Sequence, residues 1–586
     1  MAETSNKSVS GKAFDMSLFM RVMKYVNPYK TLFVFTAFLV LLSAAISPLR
    51  PWLIQYTLDN SIIIPNGELL KLLTFAIIGL LVLEAIVQFA QTYLANWLGQ
   101  SVIRDLRLDT YNKITHFKLK YFDQTPIGTL VTRAVSDIET IANIFSEGVL
   151  NILGEIIKLV VVIGFMFYID WRLTIICLIP IPLLLWATNI FKNYIKLAFQ
   201  DVRNEVARLN AFVQEHITGM FIVQIFNREK QEMDKFKKIN ARHRDAHLRT
   251  VFANAIFFPV VEILSALSIA LLIWWGSREV LAETVTYGNL VAFLLYIYML
   301  FRPIRQLADR FNTLQMGMVA SERVFRILDT KAEIEGSGKN LTPKIEGNIS
   351  FKNVWFAYND EDWVLKNVSF EVKRGQKIAL VGATGAGKTS IINILSRFYE
   401  YNKGQIKIDG HELRDFDPAY LSRQVGVVLQ DVFLFSDSIY NNITLNNDKI
   451  SLEEVKEAAE KVGAQRFIDR LPDGYDYDVK ERGATLSVGQ RQLLAFIRAY
   501  IYNPSILVLD EATSSVDTET EMMINEAIEL ITKDRTSIII AHRLATVQHA
   551  DLIMVMEKGE IVEIGNHQEL LRKDGAYKKL YDLQFV

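Results

Sequence analysis

Eight consecutive residues, 382–389, have the composition of a loop that holds phosphate groups: Gly-Ala-Thr-Gly-Ala-Gly-Lys-Thr. An apolar strand pattern at 377–381 precedes them and an apolar helix pattern at 390–398 follows. Glycines let backbone N–H groups curl around phosphate oxygens at a helix start. Lys388 can reach the terminal phosphates, and the Thr389 hydroxyl can bind Mg²⁺. The predicted nucleotide-binding residues here are Gly382, Thr384, Gly385, Ala386, Gly387, Lys388, Thr389 and Ser390.

Acidic residues follow a second apolar run, 506–509. Beside a phosphate loop, Asp510 is suited to hold Mg²⁺, usually through water, and Glu511 to accept a proton from an attacking water. A third run, 537–541, ends at His542. A lone histidine is more often structural, but one that ends a core strand can contact the γ-phosphate. These positions predict hydrolysis of the bound nucleotide.

The length and composition of the chain limit the kind of protein that positions these residues. The chain has 586 residues, of which 51% are hydrophobic, and its mean hydropathy is +0.18. Cys177 is the single cysteine, which excludes an intrachain disulfide and a cysteine metal cage. Lysine plus arginine number 64 against 65 acidic residues, so no basic excess favours a nucleic-acid partner.

Apolar stretches of membrane-spanning length fill the first half of the chain. Spanning takes about 20 residues, and few soluble folds hide six such stretches. Pro48 and Pro51 predict a kink in the first, and the last is expected to continue as a helix to Met318. The six lie at 31–56, 72–94, 146–168, 173–190, 252–275 and 290–301.

Charge in the connecting loops predicts the orientation. Segment 98–137 carries six lysines and arginines and segment 196–250 carries eleven, whereas the alternate loops are short and nearly uncharged. Because basic loops stay on the cytoplasmic side of a membrane, both long loops and both termini are expected in the cytoplasm. The expected location of the protein is the plasma or inner membrane. Helical periodicity through the long loops predicts stalks that project about 30 Å, with tips near 121–133 and 211–219.

Some charges fall within the spans, at Glu84, Glu155, Lys158 and Glu262. They favour either a polar substrate cavity or internal structural pairs, and Glu155 and Lys158 are spaced to pair with each other. Apolar residues between 14 and 26 have helical spacing, which predicts an amphipathic helix on the membrane surface or, alternatively, an ordinary core helix.

The composition changes at about residue 329. Segment 329–346 is polar and contains glycine, as a linker does. Residues 347–586 alternate short apolar runs with helical patterns, which predicts an α/β layout with a parallel core sheet. The predicted fold is therefore a multidomain membrane protein: a six-helix all-α transmembrane domain at 1–328 and an α/β P-loop NTPase cassette at 347–586.

The motif set resembles the ATP-binding-cassette family. Residues 486–490 read Leu-Ser-Val-Gly-Gln, similar to the family signature LSGGQ, and they end 20 residues before Asp510. Tyr358 is placed like the aromatic residue that stacks on adenine. The membrane half looks like the exporter type, with six helices fused ahead of the cassette. The resemblance implies nucleotide contacts at Ser487, Gly489, Gln490 and Asp517, and catalytic, nucleotide and metal contacts at Gln430.

The resemblance also implies how such a chain works. In the family ATP lies between two cassettes, so this half-transporter would act as a dimer with ATP and Mg²⁺. Stalk tips would rest on the cassettes as coupling helices, and the cavity would open alternately inward and outward. The expected activity is ATP-driven export or flipping of an amphipathic substrate, such as a lipid or a drug-like molecule.

Two departures from the family pattern leave alternatives open. Val488 stands where glycine is usual in the signature, and Lys480 replaces a usual glycine in the loop before it. Val488 is either tolerated in a homodimer or marks one half of a heterodimer with a degenerate site. A membrane protein that ATP gates or regulates without transport is a further alternative, against which the intact Glu511 argues. The spans exclude a soluble cassette ATPase.

Overall fold

The computed structural model describes residues 15–331, 339–359, 361–510, 518–541 and 544–584. Side chains are described for these residues except 146–147, 149–150, 304–312, 518–519, 544–545 and 584. The chain divides into two compact units. One holds the described residues up to Thr115 and from Ile127 to Thr330; the other holds His116–Pro126 and the described residues from 331 onward.

The first thirteen α-helices form the first unit, apart from α5, which belongs to the second. Short 3₁₀ and π turns join several of them. The helices are α1 Met16–Lys24, α2 Lys30–Ile46, α3 Leu49–Thr57, α4 Gly67–Thr115, α5 Leu119–Gln124, α6 Ile127–Thr132, α7 Ile138–Asn143, α8 Val149–Ile169, α9 Trp171–Leu178, α10 Ile181–Thr218, α11 Met220–Ile225, α12 Glu229–Leu281 and α13 Tyr287–Asp329.

Five helical segments of the described residues are long and apolar enough to cross a membrane. They expose large apolar side chains, such as Phe75 and Phe89, as lipid-facing helices would. The sixth predicted span lies in α13, which runs unbroken past Pro303 as predicted. The five segments are Asn27–Ile62, Gly67–Thr115, Asn151–Ile169, Trp171–Thr218 and Glu229–Leu281.

The first span is broken near a proline, and three of the other helices are much longer than a membrane is thick. The kink predicted in the first span separates α2 from α3 at Ser47 and Pro48. Helices α4, α10 and α12 have 49, 38 and 53 residues. At 1.5 Å per residue they are about 57 to 80 Å long, far beyond the hydrocarbon thickness of about 30 Å. The helices are therefore long enough for the predicted stalks, and their projection into the cytoplasm stays a prediction.

The second stalk tip lies later in the chain than the sequence pattern indicates. Segment 211–219 is almost entirely the end of α10, which Gly219 caps. The chain turns over 219–228 instead, where α11 forms and Asn227 adopts a positive φ of 51°. Helical periodicity alone does not show where α10 ends, because apolar residues continue past Thr218 into α11.

Charged residues in the spans pair differently from the spacing prediction. Arg50 lies 3.5 Å from Glu84, which joins α3 to α4. Glu155 and Lys158 form no ion pair with each other in the described structure. Their i,i+3 spacing permits a pair but does not require one.

Helix α1 packs one of its faces against other helices of the first unit. Val22 and Val26 are buried in a cluster that contains Leu98 and Val324, whereas Met16 and Met20 are exposed. The apolar face therefore packs on protein, as in the core-helix alternative, and only the exposed Met16 and Met20 are available to a membrane surface. That location stays a prediction.

The described residues of the second unit form ten strands and the remaining helices. The strands are β1 Ile349–Ala357, β2 Trp363–Val372, β3 Lys377–Gly382, β4 Lys403–Ile408, β5 His411–Glu412, β6 Val425–Val428, β7 Ile506–Asp510, β8 Thr536–Ile540, β9 Leu552–Glu557 and β10 Glu560–Gly565. The helices are α14 Lys388–Leu395, α15 Pro418–Gln424, α16 Ile439–Thr444, α17 Leu452–Lys461, α18 Gln465–Ile468, α19 Val488–Tyr502, α20 Thr518–Thr532, α21 Leu544–Gln548, α22 His567–Arg572 and α23 Ala576–Gln584.

Two sheets share one apolar core. The first has strand order β2-β1-β4-β5 and is antiparallel; the second has order β10-β9-β3-β8-β7-β6. Strands β9, β3, β8, β7 and β6 run parallel, which confirms the predicted parallel core sheet. Buried apolar residues of both sheets and of α14 form the core beneath the phosphate loop.

Candidate nucleotide site

The phosphate loop lies between β3 and α14, as its sequence predicts. Gly387 caps α14 with a φ of 101°, and a Cβ there would lie 2.8 Å from Leu365 Cδ2. A Cβ on Gly382 would lie 2.3 Å from the carbonyl oxygen of Met556. Both positions therefore require glycine, and the loop backbone stays free to approach a phosphate.

Lys388 is buried inside this loop. Lys388 is only 7% exposed. Its Nζ donates hydrogen bonds of 2.7 and 3.0 Å to the carbonyl oxygens of Gly382 and Ala383. Burial lowers the pKa of the ammonium, and the nearby Asp510 carboxylate opposes that shift. The two charges that the site needs are thus close enough to interact.

The order of the parallel strands explains how distant motifs meet. Strands β3, β8, β7 and β6 are neighbours, and in register Ile540 of β8 lies beside Leu380 and Asp510. Parallel strands end at the same sheet edge, where α/β folds bind ligands. The phosphate loop, Asp510 and Gln430 all follow strands at this edge. Glu511, His542 and Asp517 lie outside the described residues.

The oxygen donors at this edge fit Mg²⁺. Thr389 and Gln430 are exposed, and Asp510 is partly exposed. Among the described residues no three histidine, cysteine or acidic side chains cluster as a metal cage. Mg²⁺ commonly uses one or two protein oxygens together with substrate phosphates and water, so a hydroxyl, an amide oxygen and one carboxylate suffice.

The signature segment forms the start of α19. Ser487 is the N-cap, its hydroxyl accepts from the Gln490 backbone N–H at 3.2 Å, and the Gln490 side chain accepts from the Ser487 N–H at 2.9 Å. Gly489 is buried. Val488 is the first helical residue and is 41% exposed. Because its backbone is helical, the position does not demand glycine, and valine leaves the helix start intact.

Lys480, where the family has glycine, is in a conformation that favours glycine. Its φ is 60° and its ψ is −173°, a region that costs other residues on the order of 1–3 kcal/mol. Asp478 compensates in part: its carboxylate accepts from the Lys480 backbone N–H at 2.8 Å and from Nζ at 2.7 Å. The loop before the signature is therefore strained in this chain.

Lys480→Gly is expected to relieve that strain and stabilise the second unit by about 1 kcal/mol, because the exposed ion pair that it removes contributes less. Denaturant unfolding followed by hydrogen exchange of segment 478–486 would measure the gain. Lys480→Ala is the matched control, since it removes the ion pair but keeps the Cβ. Equal stability of the two variants would mean that strain is not the cause.

Sequence reasoning missed a half-buried arginine on the signature helix, Arg498. Arg498 on α19 donates to the carbonyl oxygens of Asn442 at 2.5 Å and of Phe433 at 3.2 Å, and burial lowers its pKa. Asn442 in turn donates to the Phe435 carbonyl at 2.9 Å. These contacts join the loop that follows Gln430 to the signature helix. The available signal was an arginine within the apolar run 493–502.

Known proteins resemble this chain along its whole length. The family model for the ABC transporter transmembrane region matches residues 33–304, and the model for the ABC transporter matches residues 365–514. An uncharacterized ABC transporter ATP-binding protein, YknV of Bacillus subtilis (strain 168), is 38% identical over 99% of this chain and 97% of its own.

Two further relatives carry more specific descriptions. An ATP-dependent lipid A-core flippase of Syntrophus aciditrophicus (strain SB) is 36% identical over 97% of this chain and 95% of its own. A solved structure of a bacterial Atm1-family ABC exporter with ATP bound is 27% identical, with a TM-score of 0.79, and the match covers 95% of this chain and 98% of that one.

Proposed function

We propose that this chain, a member of the ABC transporter family, exports or flips an amphipathic substrate. It is an exporter-type half-transporter and an ATPase coupled to transport across a membrane. Lipids and drug-like molecules are the substrate class. The relative described as a lipid A-core flippase supports the lipid end of that class. The basic stalk segments support a plasma or inner membrane location with both termini and the cassette in the cytoplasm.

Each residue at the sheet edge has a role in ATP hydrolysis under this proposal. Loop N–H groups and Lys388 hold the phosphates, Tyr358 stacks on adenine, and Asp517 and the signature residues complete the nucleotide contacts. Thr389, Gln430 and Asp510 would hold Mg²⁺, which neutralises developing phosphate charge when bound. Glu511 takes the proton of the attacking water, and Gln430 and His542 orient the water and the γ-phosphate.

An exposed apolar surface supports a dimer. Helix α11 at the second stalk tip exposes Phe221, Ile222, Ile225 and Phe226, of which Phe221 is 70% exposed and Phe226 is 67% exposed. An exposed apolar cluster of this kind is typical of a surface that another protein covers. A second chain would cover it with its cassette, and would supply the Ser487 that faces this chain's phosphate loop.

Alternating access then follows from differential binding. ATP favours the conformation in which two cassettes close on it, and hydrolysis removes that preference. The stalk tips, near 121–133 and at α11, carry the closure to the membrane unit. Arg50 and Glu84 form an ion pair between two spans, and a charge pair at that depth is suited to a polar part of a substrate cavity.

The conformation of Val488 favours a homodimer over a heterodimer. Its side chain is on the surface of a normally capped helix start, so both copies would present a competent signature. Purified alone, the chain should then dimerise and hydrolyse ATP. Activity that needs a second, different half-transporter would favour the heterodimer instead.

A complementation experiment tests the shared ATP site. Lys388→Met disables the phosphate loop; Ser487→Asp keeps a good helix cap but places a negative charge against phosphate. Each variant alone should be inactive, whereas coexpressed chains should regain ATPase activity, because one site then combines an intact loop with an intact signature. Ser487→Asn, which caps without charge, is the control and should remain active. No recovery in the mixed dimer would contradict the shared site.

A further inference from the structure

The predicted adenine platform is hydrogen-bonded to the phosphate loop helix. Asn393 Nδ2 lies 2.9 Å from the Tyr358 hydroxyl, and that hydroxyl lies 3.1 Å from Ser390 Oγ. Asn393 and Ser390 are both on α14, whereas Tyr358 follows β1. We call these three side chains the relay.

The Asn393 amide sets the direction of the first hydrogen bond of the relay, and the hydroxyls of Tyr358 and Ser390 allow the second to continue it. An amide NH₂ only donates, so the Tyr358 oxygen accepts from Asn393. The Tyr358 O–H can then donate to Ser390 Oγ, 3.1 Å away, in a pair of hydroxyls of which either can be the donor. The Ser390 hydroxyl, having accepted, keeps its hydrogen for another acceptor. Ser390 itself is only 4% exposed and is in the first turn of α14, where anions bind.

Packing holds the Tyr358 ring in this position. Its ring meets Phe356 and Tyr399 edge-on, with centroids 4.7 and 4.9 Å apart. The relay is therefore anchored at both ends, by the core on the ring side and by α14 on the hydroxyl side.

We propose that Tyr358 has a second role besides base stacking: through the relay, with Asn393 as a positioning residue, it orients the Ser390 hydroxyl to donate to a nucleotide phosphate. This inference rests on the proposed nucleotide site. It makes Tyr358 a determinant of phosphate affinity, including for ligands that have no base. A residue that only stacks on adenine has no such effect.

Tyr358→Phe tests the proposal because it deletes one oxygen and keeps the ring. Affinities of the full-length protein for ATP and for inorganic tripolyphosphate, each with Mg²⁺, would be measured by displacement of a fluorescent nucleotide. Both are expected to weaken roughly 3- to 10-fold, the effect of one hydrogen bond, with KM for ATP raised and kcat little changed. Tyr399→Phe, which deletes the hydroxyl of the neighbouring ring, is the matched control and should alter neither affinity.

A double-mutant cycle checks that the three residues act as one unit. Ser390→Ala and Asn393→Leu should each weaken tripolyphosphate binding, and combining either with Tyr358→Phe should add little. Ser390→Thr, which keeps the hydroxyl, should restore it. Thermal unfolding of each variant separates lost binding from lost folding.

Three results would overturn the relay: Tyr358→Phe weakening ATP but not tripolyphosphate, no weakening of either, or fully additive effects in the cycle. Lys388→Met distinguishes failure of the underlying site. If that variant still bound tripolyphosphate with unchanged affinity, the proposed phosphate loop would be wrong, and the relay with it.

Discussion

Lys388→Met is expected to lower ATPase activity by about 10²- to 10³-fold, the usual cost of removing one preorganised donor from developing charge. Methionine keeps the length of the side chain but not its ammonium. In the structure Nζ also bridges the carbonyl oxygens of Gly382 and Ala383, so the substitution removes the group that ties the loop together as well as the charge that meets phosphate. Steady-state ATPase measurements on the reconstituted protein check this expectation.

Lys377→Met is the matched control for that substitution. Lys377 is the first residue of the same strand, β3, at the end away from the phosphate loop. Its loss should leave hydrolysis near the wild-type rate. Retained activity in Lys388→Met would assign phosphate binding to another part of the chain.

Glu511→Gln is expected to lower turnover by roughly 10²- to 10⁴-fold, the contribution of a general base, while ATP binding is kept. Glu511 directly follows Asp510 in the sequence, and the Asp510 carboxylate interacts with the Lys388 ammonium, which is why we propose Glu511 as the base. Glutamine has the same shape and cannot accept the proton of water. The dimer should therefore close on ATP and retain it, which labelled nucleotide would show.

Two comparison variants define the role of Glu511. Asp510→Asn should weaken Mg²⁺-dependent binding as well as turnover, because it removes a proposed metal contact. Glu526→Gln, at an exposed position on α20, should change neither. ATPase activity of Glu511→Gln equal to the wild type would remove Glu511 from its proposed role as the base.

The alternatives to transport predict different outcomes for these variants. A gated or regulatory membrane protein would keep its ATP-dependent response in Glu511→Gln, since closure without hydrolysis suffices for gating. A transporter stops after one cycle. Movement of a labelled lipid across vesicles, measured with both variants, separates the two.

Local sequence patterns determined the long apolar helices and the phosphate loop. Apolar runs of spanning length became α4, α10 and α12, because in lipid the backbone must satisfy its own hydrogen bonds. The glycines at 382 and 387 occupy positions where a Cβ would collide. Because glycine is required at these two positions of one short loop, the loop can be recognised from the sequence alone.

Residues far apart in the chain needed the tertiary structure. The partner of Glu84 is Arg50 on another helix, and Glu155 does not pair with Lys158, although spacing allowed it. The end of α10 at Thr218 and the separate helix α11 were located only by the structure. Spacing along one helix lists possible contacts, but packing between helices chooses among them.

The same distinction applies at the nucleotide site. The sequence by itself determined which residues meet phosphate, because strand, loop and helix are contiguous. Only the tertiary structure decided that Lys480 is strained, that Val488 begins a normally capped helix, and that Tyr358 is bonded to Ser390 and Asn393. Backbone dihedrals at a loop and hydrogen bonds between a strand end and a distant helix arise when the sheets and helices pack, and no local pattern encodes them.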